Sequence, residues 1–209
     1  MTTTKLTRRA VLAGASAATL GACALPGGGD PPQLYTLTPK STFAADLPRA
    51  EWQLAIELPI ASGGLDTARI ALQRSPYTLD FYARAAWTDT APRMVQALLI
   101  ESFEASGKIV GVSRDSAALR PDYLLKVDLR EFQAEYFDGA LPMAHVRLGV
   151  RLVRLPERMI EAGFVADERV RAAHGDLSAV AQAFDDALGN AMRKVVEWTL
   201  RTGQPRRRR

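Results

Sequence analysis

"AHVRLGVRLV", residues 144–153, alternates apolar and polar side chains along its length. Ala144, Val146, Leu148, Val150 and Leu152 face one way, while His145, Arg147 and Arg151 face the other. A period of two with one polar side is the pattern of an antiparallel strand that buries one face and leaves the other to solvent. The preceding "YLLKVDLREFQAEYF" (123–137) sets Leu125, Val127 and Leu129 against Lys126, Asp128 and Arg130 in the same way. Beyond the quoted stretch, "LPER" (155–158) turns the chain into a third long strand over about 159–171. Three long strands in succession make a sheet the centre of the fold.

Further along the chain the period changes. Leu177, Val180, Ala181, Phe184, Leu188, Ala191, Val195 and Trp198 recur at helical spacing, which predicts an amphipathic helix over about 177–202 with Asp176 as its N-cap. Such a stripe suits packing across the domain's own sheet, with a coiled-coil partner as the alternative. On the N-terminal side, "LYTL" (34–37) and "WQLAIELPIA" (52–61) predict strands, the second with Leu54, Ile56 and Leu58 on one face before Pro59 ends it. "RIALQR" (69–74) and "TLDFYARAAW" (78–87) form a hairpin around Ser75, Pro76 and Tyr77. Asp89 or Thr90 caps a helix over about 90–106; Pro92 sits in its first turn, Val95, Leu98, Leu99, Ser102 and Phe103 form its buried face, and Gly107 stops it. Strands, helix, long strands, helix is the order of an α+β fold, a largely antiparallel or mixed β-sheet covered by two main α-helices. With 209 residues, 47% hydrophobic and 24% charged, the chain supports one such domain plus extensions.

The residue inventory excludes much chemistry. A phosphate-binding glycine loop, a Gly-x-Ser-x-Gly elbow and a His-Glu-x-x-His pair are all missing from the sequence. Of the two histidines, His145 is expected on the solvated face of its strand, and His174 in the "AAHGD" turn before the last helix. Asp185 and Asp186 are neighbours on a helix, so they point about 100° apart and read as a solvated face rather than paired carboxylates. We therefore expect no catalytic residues, no metal and no cofactor. The single cysteine, Cys23, can neither close an intramolecular disulfide nor provide the paired thiols of a structural zinc site.

The surroundings of Cys23 give it another use. Residues 1–22 have the form of a signal peptide. Lys5, Arg8 and Arg9 stand without an acidic residue ahead of "AVLAGASAATLGA" (10–22), a run too short for the ~20 apolar residues of a membrane span. "LGAC" (Leu20, Gly21, Ala22, Cys23) resembles the lipobox of bacterial lipoproteins, which implies acylation of Cys23 and cleavage just before it. Several acyl chains make a firm anchor, whereas one binds only marginally. "TRRAVLAG" (7–14) resembles a twin-arginine export signal through Arg8 and Arg9, with an ordinary secretory signal as the alternative. "ALPGGGDPPQ" (24–33) then has the composition of an extended tether, so residues 23–33 form the lipidated cysteine and its linker. Ala24 stands where inner-membrane lipoproteins of enterobacteria carry aspartate, and by that resemblance the outer membrane is favoured.

The chain carries a formal net charge of +4. Without Lys5, Arg8 and Arg9 it has 24 basic against 23 acidic residues, and without Arg206–Arg209 it has 20 against 23. The basic balance is therefore terminal and does not indicate a nucleic-acid partner. Residues 203–209, "GQPRRRR", are expected to be a basic disordered tail, solvated or in contact with anionic headgroups.

"LYTLTP" (34–39), "LAIELPIASGGLDTARIAL" (54–72), "DFYARAAWTD" (80–89) and "DLSAVAQAFDDALGNAMRKVVEW" (176–198) resemble the ABC-type transport auxiliary lipoproteins, the PqiC-like group. The resemblance covers most of residues 34–200, and we set the domain at 34–202. It implies a non-enzymatic protein of the Gram-negative cell envelope, on the periplasmic face of the outer membrane, working beside an MCE-domain periplasmic protein and its ABC transporter. The membrane is a partner through the acyl chains of Cys23, and association with a second copy of the chain is left open. Within "YFDGALPM" (136–143), Phe137, Leu141 and Met143 are unusually apolar for a hairpin tip and are the candidate partner contact, unless they tuck onto the core. Two functions remain: an adaptor that docks the MCE component, or a lipoprotein carrier with its own apolar cavity.

Overall fold

The computed structural model describes residues 31–117, 120–137, 139 and 141–204. Arg8, Arg9, the lipobox Leu20, Gly21 and Ala22, and Cys23 lie outside them. From Pro32 onward the chain runs β1 (Gln33–Tyr35), β2 (Ala50–Ile56), β3 (Ile60–Ala61), β4 (Arg69–Ser75), β5 (Thr78–Trp87), α1 (Ala91–Ala105), β6 (Ile109–Arg114), β7 (Tyr123–Glu135), β8 (Met143–Arg154), β9 (Met159–Arg171) and α2 (Leu177–Thr202). The expected long strands are β7, β8 and β9, antiparallel in register with Leu125 opposite Leu152 and Val150 opposite Phe164. β4 and β5 form the expected antiparallel hairpin. Around these, β2, β3 and β4 all pair with β7 in parallel, β6 pairs with β2 in parallel and β1 with β5. The α+β class is as expected, and the sheet of nine strands is mixed.

One face of this sheet carries the core. Leu125, Val127 and Leu129 of β7 and Ala144, Val146, Leu148, Val150 and Leu152 of β8 are buried there, as the alternation requires. Helices α1 and α2 close over them. Val95, Leu98, Leu99, Ser102 and Phe103 of α1 and Val180, Phe184, Leu188, Ala191 and Val195 of α2 are buried, and Ser102 Oγ lies 3.5 Å from Met192 Sδ where the helices meet. Trp87, Phe132 and Phe184 pack with ring centroids 5.1–5.7 Å apart at its centre. The stripe on α2 is thus consumed by the protein's own sheet. Asp176 caps α2 by accepting from Ala179 N at 3.0 Å; Thr90 is the N-cap of α1 and forms no side-chain cap bond, while Asp89 Oδ1 accepts from Thr90 N at 2.7 Å. Leu58 departs from expectation: Pro59 follows, the strand breaks before it, and its side chain is exposed.

The other face of the sheet is rearranged by a bulge. Register shifts between Leu129 and Glu131, so Arg130 is an extra residue in β7. Before it the odd positions point into the core; after it Phe132 and Ala134 do, and Glu131, Gln133 and Glu135 join Lys126 and Asp128 on the far side. That placement corrects the expectation for His145. Its strand register puts it opposite Gln133 and Arg169, but the residue is only 3% exposed. Nδ1 lies 2.6 Å from Glu135 Oε1 and Nε2 2.9 Å from Asp167 Oδ1, so charged neighbours rather than water surround the ring. Asp185 is likewise not merely solvated, because it accepts from Thr38 N at 2.6 Å and from Thr38 Oγ1 at 2.8 Å.

Candidate functional site

The candidate partner contact lies at the end of the sheet where β4, β7 and β9 finish and β5 and β8 begin. Parallel pairing sets Gln73 of β4 beside Glu135 of β7, and Tyr136 N continues the ladder by donating to Gln73 O at 2.9 Å. The two hairpin tips that follow, at Pro76–Tyr77 and after Tyr136, are therefore neighbours. Tyr77 is 95% exposed and Phe137 42% exposed. Two aromatic side chains are thus exposed at one end of the sheet.

The base of this end is pinned. Tyr136 and Tyr82 share a 2.7 Å hydroxyl hydrogen bond, and the Arg74 guanidinium lies 5.2 Å from the Tyr136 ring centroid. Burial, and then the bond to Tyr136, push the Tyr82 hydroxyl well above its ordinary pKa. Leu141 O accepts from Arg171 at 3.2 Å, and Pro142 O accepts from Ala172 N at 2.9 Å. Gly139 takes φ +134°, a region that favours glycine. Of the three expected contact residues, Phe137 stands out from the surface, while Leu141 and Met143 are half-buried and Met143 belongs to β8. Tyr77 was not among the candidates; its signal was an aromatic residue in the short turn "SPYT" (75–78).

The open face of the sheet is given over to ion pairs. Lys126 Nζ meets Glu57 at 2.5 Å, Arg151 binds Asp128 through both carboxylate oxygens at 2.8 and 3.0 Å, and Arg169 reaches Asp167 at 3.0 Å. Gly149 lies beneath the Arg130 side chain; a Cβ there would stand 2.5 Å from the guanidinium. Charges paired within the protein in this way hold the strands' polar sides together. Among the described residues, no group of three or more His, Cys, Asp and Glu has the arrangement of a metal site.

The clefts are open and bordered by charged residues. One of about 410 Å³ is bordered by Arg171, His174, Asp176 and Asp186, which places exposed His174 at its expected turn. Another of about 510 Å³ is bordered by Arg120, Asp122, Leu155, Pro156 and Arg158. Neither opens into the aromatic cluster of the core. No helix among the described residues is long and apolar enough to cross a membrane.

A mixed sheet with helices on one face, self-paired charges on the other and exposed aromatic rings at one end defines an α+β protein. The chain belongs to the ABC-type transport auxiliary lipoprotein component family, whose model matches residues 35–196. It is 32% identical to protein XCC0632 from Xanthomonas campestris, whose crystal structure superposes with a TM-score of 0.78 over 81% of this chain and 95% of that one. A second crystal structure, of an uncharacterized protein, shares the fold at 12% identity with a TM-score of 0.60, covering 80% of this chain and 97% of that one. Among curated proteins, the uncharacterized protein bll6063 from Bradyrhizobium diazoefficiens is 29% identical over 179 residues, 83% of this chain. The chain spans about half (47%) of that relative's length.

Proposed function

We propose that this protein is a lipoprotein anchored through Cys23 to the periplasmic face of the outer membrane, and that it docks the MCE-domain component of an ABC transport system moving lipids or other apolar molecules between the membranes. Export uses Arg8 and Arg9 as a twin-arginine signal, and cleavage follows the lipobox Leu20, Gly21 and Ala22. The observation that carries the docking role is the exposure of Phe137 and Tyr77 on a base held by the Tyr82–Tyr136 and Arg171–Leu141 bonds. Rigid exposed aromatics gain contact area on binding with little loss of side-chain freedom. Phe137 leads the contact, with the half-buried Leu141 and Met143 completing it. The packed aromatic core and the clefts' being open grooves rather than enclosed cavities favour docking over a carrier with its own apolar cavity.

The test is co-purification of the lipidated chain from detergent-solubilised envelopes. The MCE protein and its transporter should accompany the wild type. Phe137→Ala should reduce their recovery without lowering the melting temperature, since truncating an exposed side chain shifts stability by less than about 0.5 kcal/mol. Recovery unchanged by Phe137→Ala together with Tyr77→Ala would place the contact elsewhere. Cys23→Ser should release the protein from the membrane fraction, and Arg8→Lys with Arg9→Lys should slow processing although charge is kept; normal processing would assign export to the general secretory route.

A further inference from the structure

The longest margin of the sheet is β9, whose 13 residues pair, among the described residues, with β8 alone; the margins at β1 and β6 are 3 and 6 residues long. Ala172 N donates to Pro142 O at 2.9 Å, and the register with β8 is regular from Ala162 onward. Even-numbered positions therefore turn their backbone groups toward β8, and Gly163, Val165, Asp167, Arg169 and Arg171 turn theirs to the free edge. An edge of this length is a template for another strand unless something guards it. β9 contains no proline, and its one register shift, at Glu161, lies next to its start. Nor do its charges guard it, because each of the five is turned back onto its own molecule. Glu161 bonds Arg154, Asp167 meets His145 Nε2 at 2.9 Å, Glu168 pairs with Lys194, Arg169 reaches Asp167 at 3.0 Å and Arg171 donates to Leu141 O at 3.2 Å. Between Glu161 and Asp167 the edge is uncharged over "AGFVA" (162–166), and Val165 at its centre line is 42% exposed.

We propose that the free edge of β9 docks the same edge of a second copy of this chain, the two strands running antiparallel about a twofold axis through Val165. The pattern of side chains selects both the partner and the register. Centred on Val165, the pairing sets that residue against itself, Phe164 against Ala166, Gly163 against Asp167 and Ala162 against Glu168 of the second copy, so no like charges meet. Centring on Phe164 would oppose Glu161 to Asp167. Centring on Ala166 would put Phe164 and Val165 against Glu168 and Asp167, and centring on Asp167 would set that carboxylate against itself. The backbone agrees, since odd positions meet odd positions and their outward N–H and C=O groups face one another across the new ladder. A strand of another sequence could satisfy those groups, but the match of an uncharged centre to an uncharged centre is a property of this edge against itself. Antiparallel joining places the two Tyr77–Phe137 ends at opposite extremes of the combined sheet. The contact is therefore separate from the docking end and stands without that reading.

The experiment follows the full chain carrying Cys23→Ser, so that acyl chains do not drive association, by sedimentation velocity over a concentration series. The chain should pass from monomer to dimer with no larger species, because a twofold contact closes on itself. Val165→Pro removes an N–H turned to the free edge, and Val165→Lys brings two ammonium groups together at the axis. Each should weaken the dimer on the order of 30-fold, since the change is made once in each copy, and leave the melting temperature of the dilute monomer unchanged. Mixing the Val165→Lys chain with a Val165→Glu chain should restore association, because unlike charges then meet across the axis. Val110→Lys on the exposed β6 edge and Phe137→Ala should change nothing. The proposal is overturned if the chain stays monomeric throughout the series, if it forms assemblies that ignore Val165→Pro and Val165→Lys, if Val110→Lys is the variant that dissociates them, or if the Val165→Lys and Val165→Glu chains fail to pair when mixed.

Discussion

Between Glu135 and Asp167, His145 has a carboxylate oxygen within 3 Å of each ring nitrogen, and Arg147 and Arg169 pair with those carboxylates in turn. Removing the ring leaves Glu135, whose side chain is 13% exposed, facing Asp167 with Arg169 and Arg147 as the remaining counter-charges. His145→Ala should therefore destabilise the protein by about 2–4 kcal/mol in urea unfolding, more than a surface histidine could. The alternation of 144–153 placed His145 on the correct face, but its burial was not legible, because the Arg130 bulge that brings Gln133 and Glu135 around to it leaves no mark in local periodicity. Tyr82 supports a second expectation. Its folded-state pKa lies above the unfolded value of ~10, so its contribution is complete below pH ~10 and is lost as pH rises further. Tyr82→Phe should flatten the fall in stability across that alkaline range; an unchanged slope would show that the hydroxyl remains free to ionise in the fold.

At the scale of elements, what was visible depended on the range of the forces involved. β7, β8, β9, α1 and α2 carry long patterns set by one buried face, and their bounds lie within a residue or two of those expected. β6 (Ile109–Arg114) was missed: "IVGVSR" is short, contains Gly111, and is a strand because β2, more than fifty residues earlier, offers it a parallel edge. The parallel pairing of β4 with β7 is equally remote in sequence, and with it the juxtaposition of Tyr77 and Phe137, so half of the candidate site could not be seen from local signals. Packing at the two ends of α2 can be tested directly. Phe184→Ala opens a cavity against Trp87 and Phe132 and should lower stability by about 3–5 kcal/mol. Gly203 is needed for a close approach, since a Cβ there would stand 2.3 Å from the buried Trp52 ring. Gly203→Ala should cost about 1–3 kcal/mol through displacement of that indole and should loosen the Gln204–Tyr123 contact, visible as a change in tryptophan fluorescence.

The whole molecule combines a filled core with a surface on which charges answer one another. The Arg154 hydrogen bond holds Glu161 below the usual carboxylate range, the Arg201 hydrogen bond does so for Asp46, and the backbone N–H of Ala179 for Asp176. Each is depressed in the folded state, so its contribution is present above the unfolded value near ~4 and fades as pH falls through the lower folded one. Exposed pairs are small individually and screened by salt. Thermal stability should therefore decline gradually below pH ~4, less steeply at high ionic strength. The central claim is that the end bearing Phe137 and Tyr77 docks an MCE-domain protein in the envelope. A photo-crosslinking residue placed at Phe137 in the lipidated chain, with irradiation of intact cells and identification of the product by mass spectrometry, tests it most directly. The account predicts one dominant adduct with the MCE component of an ABC transport system; recovery of lipid adducts alone, or of none while the same residue placed at Met159 captures the MCE protein, would contradict it.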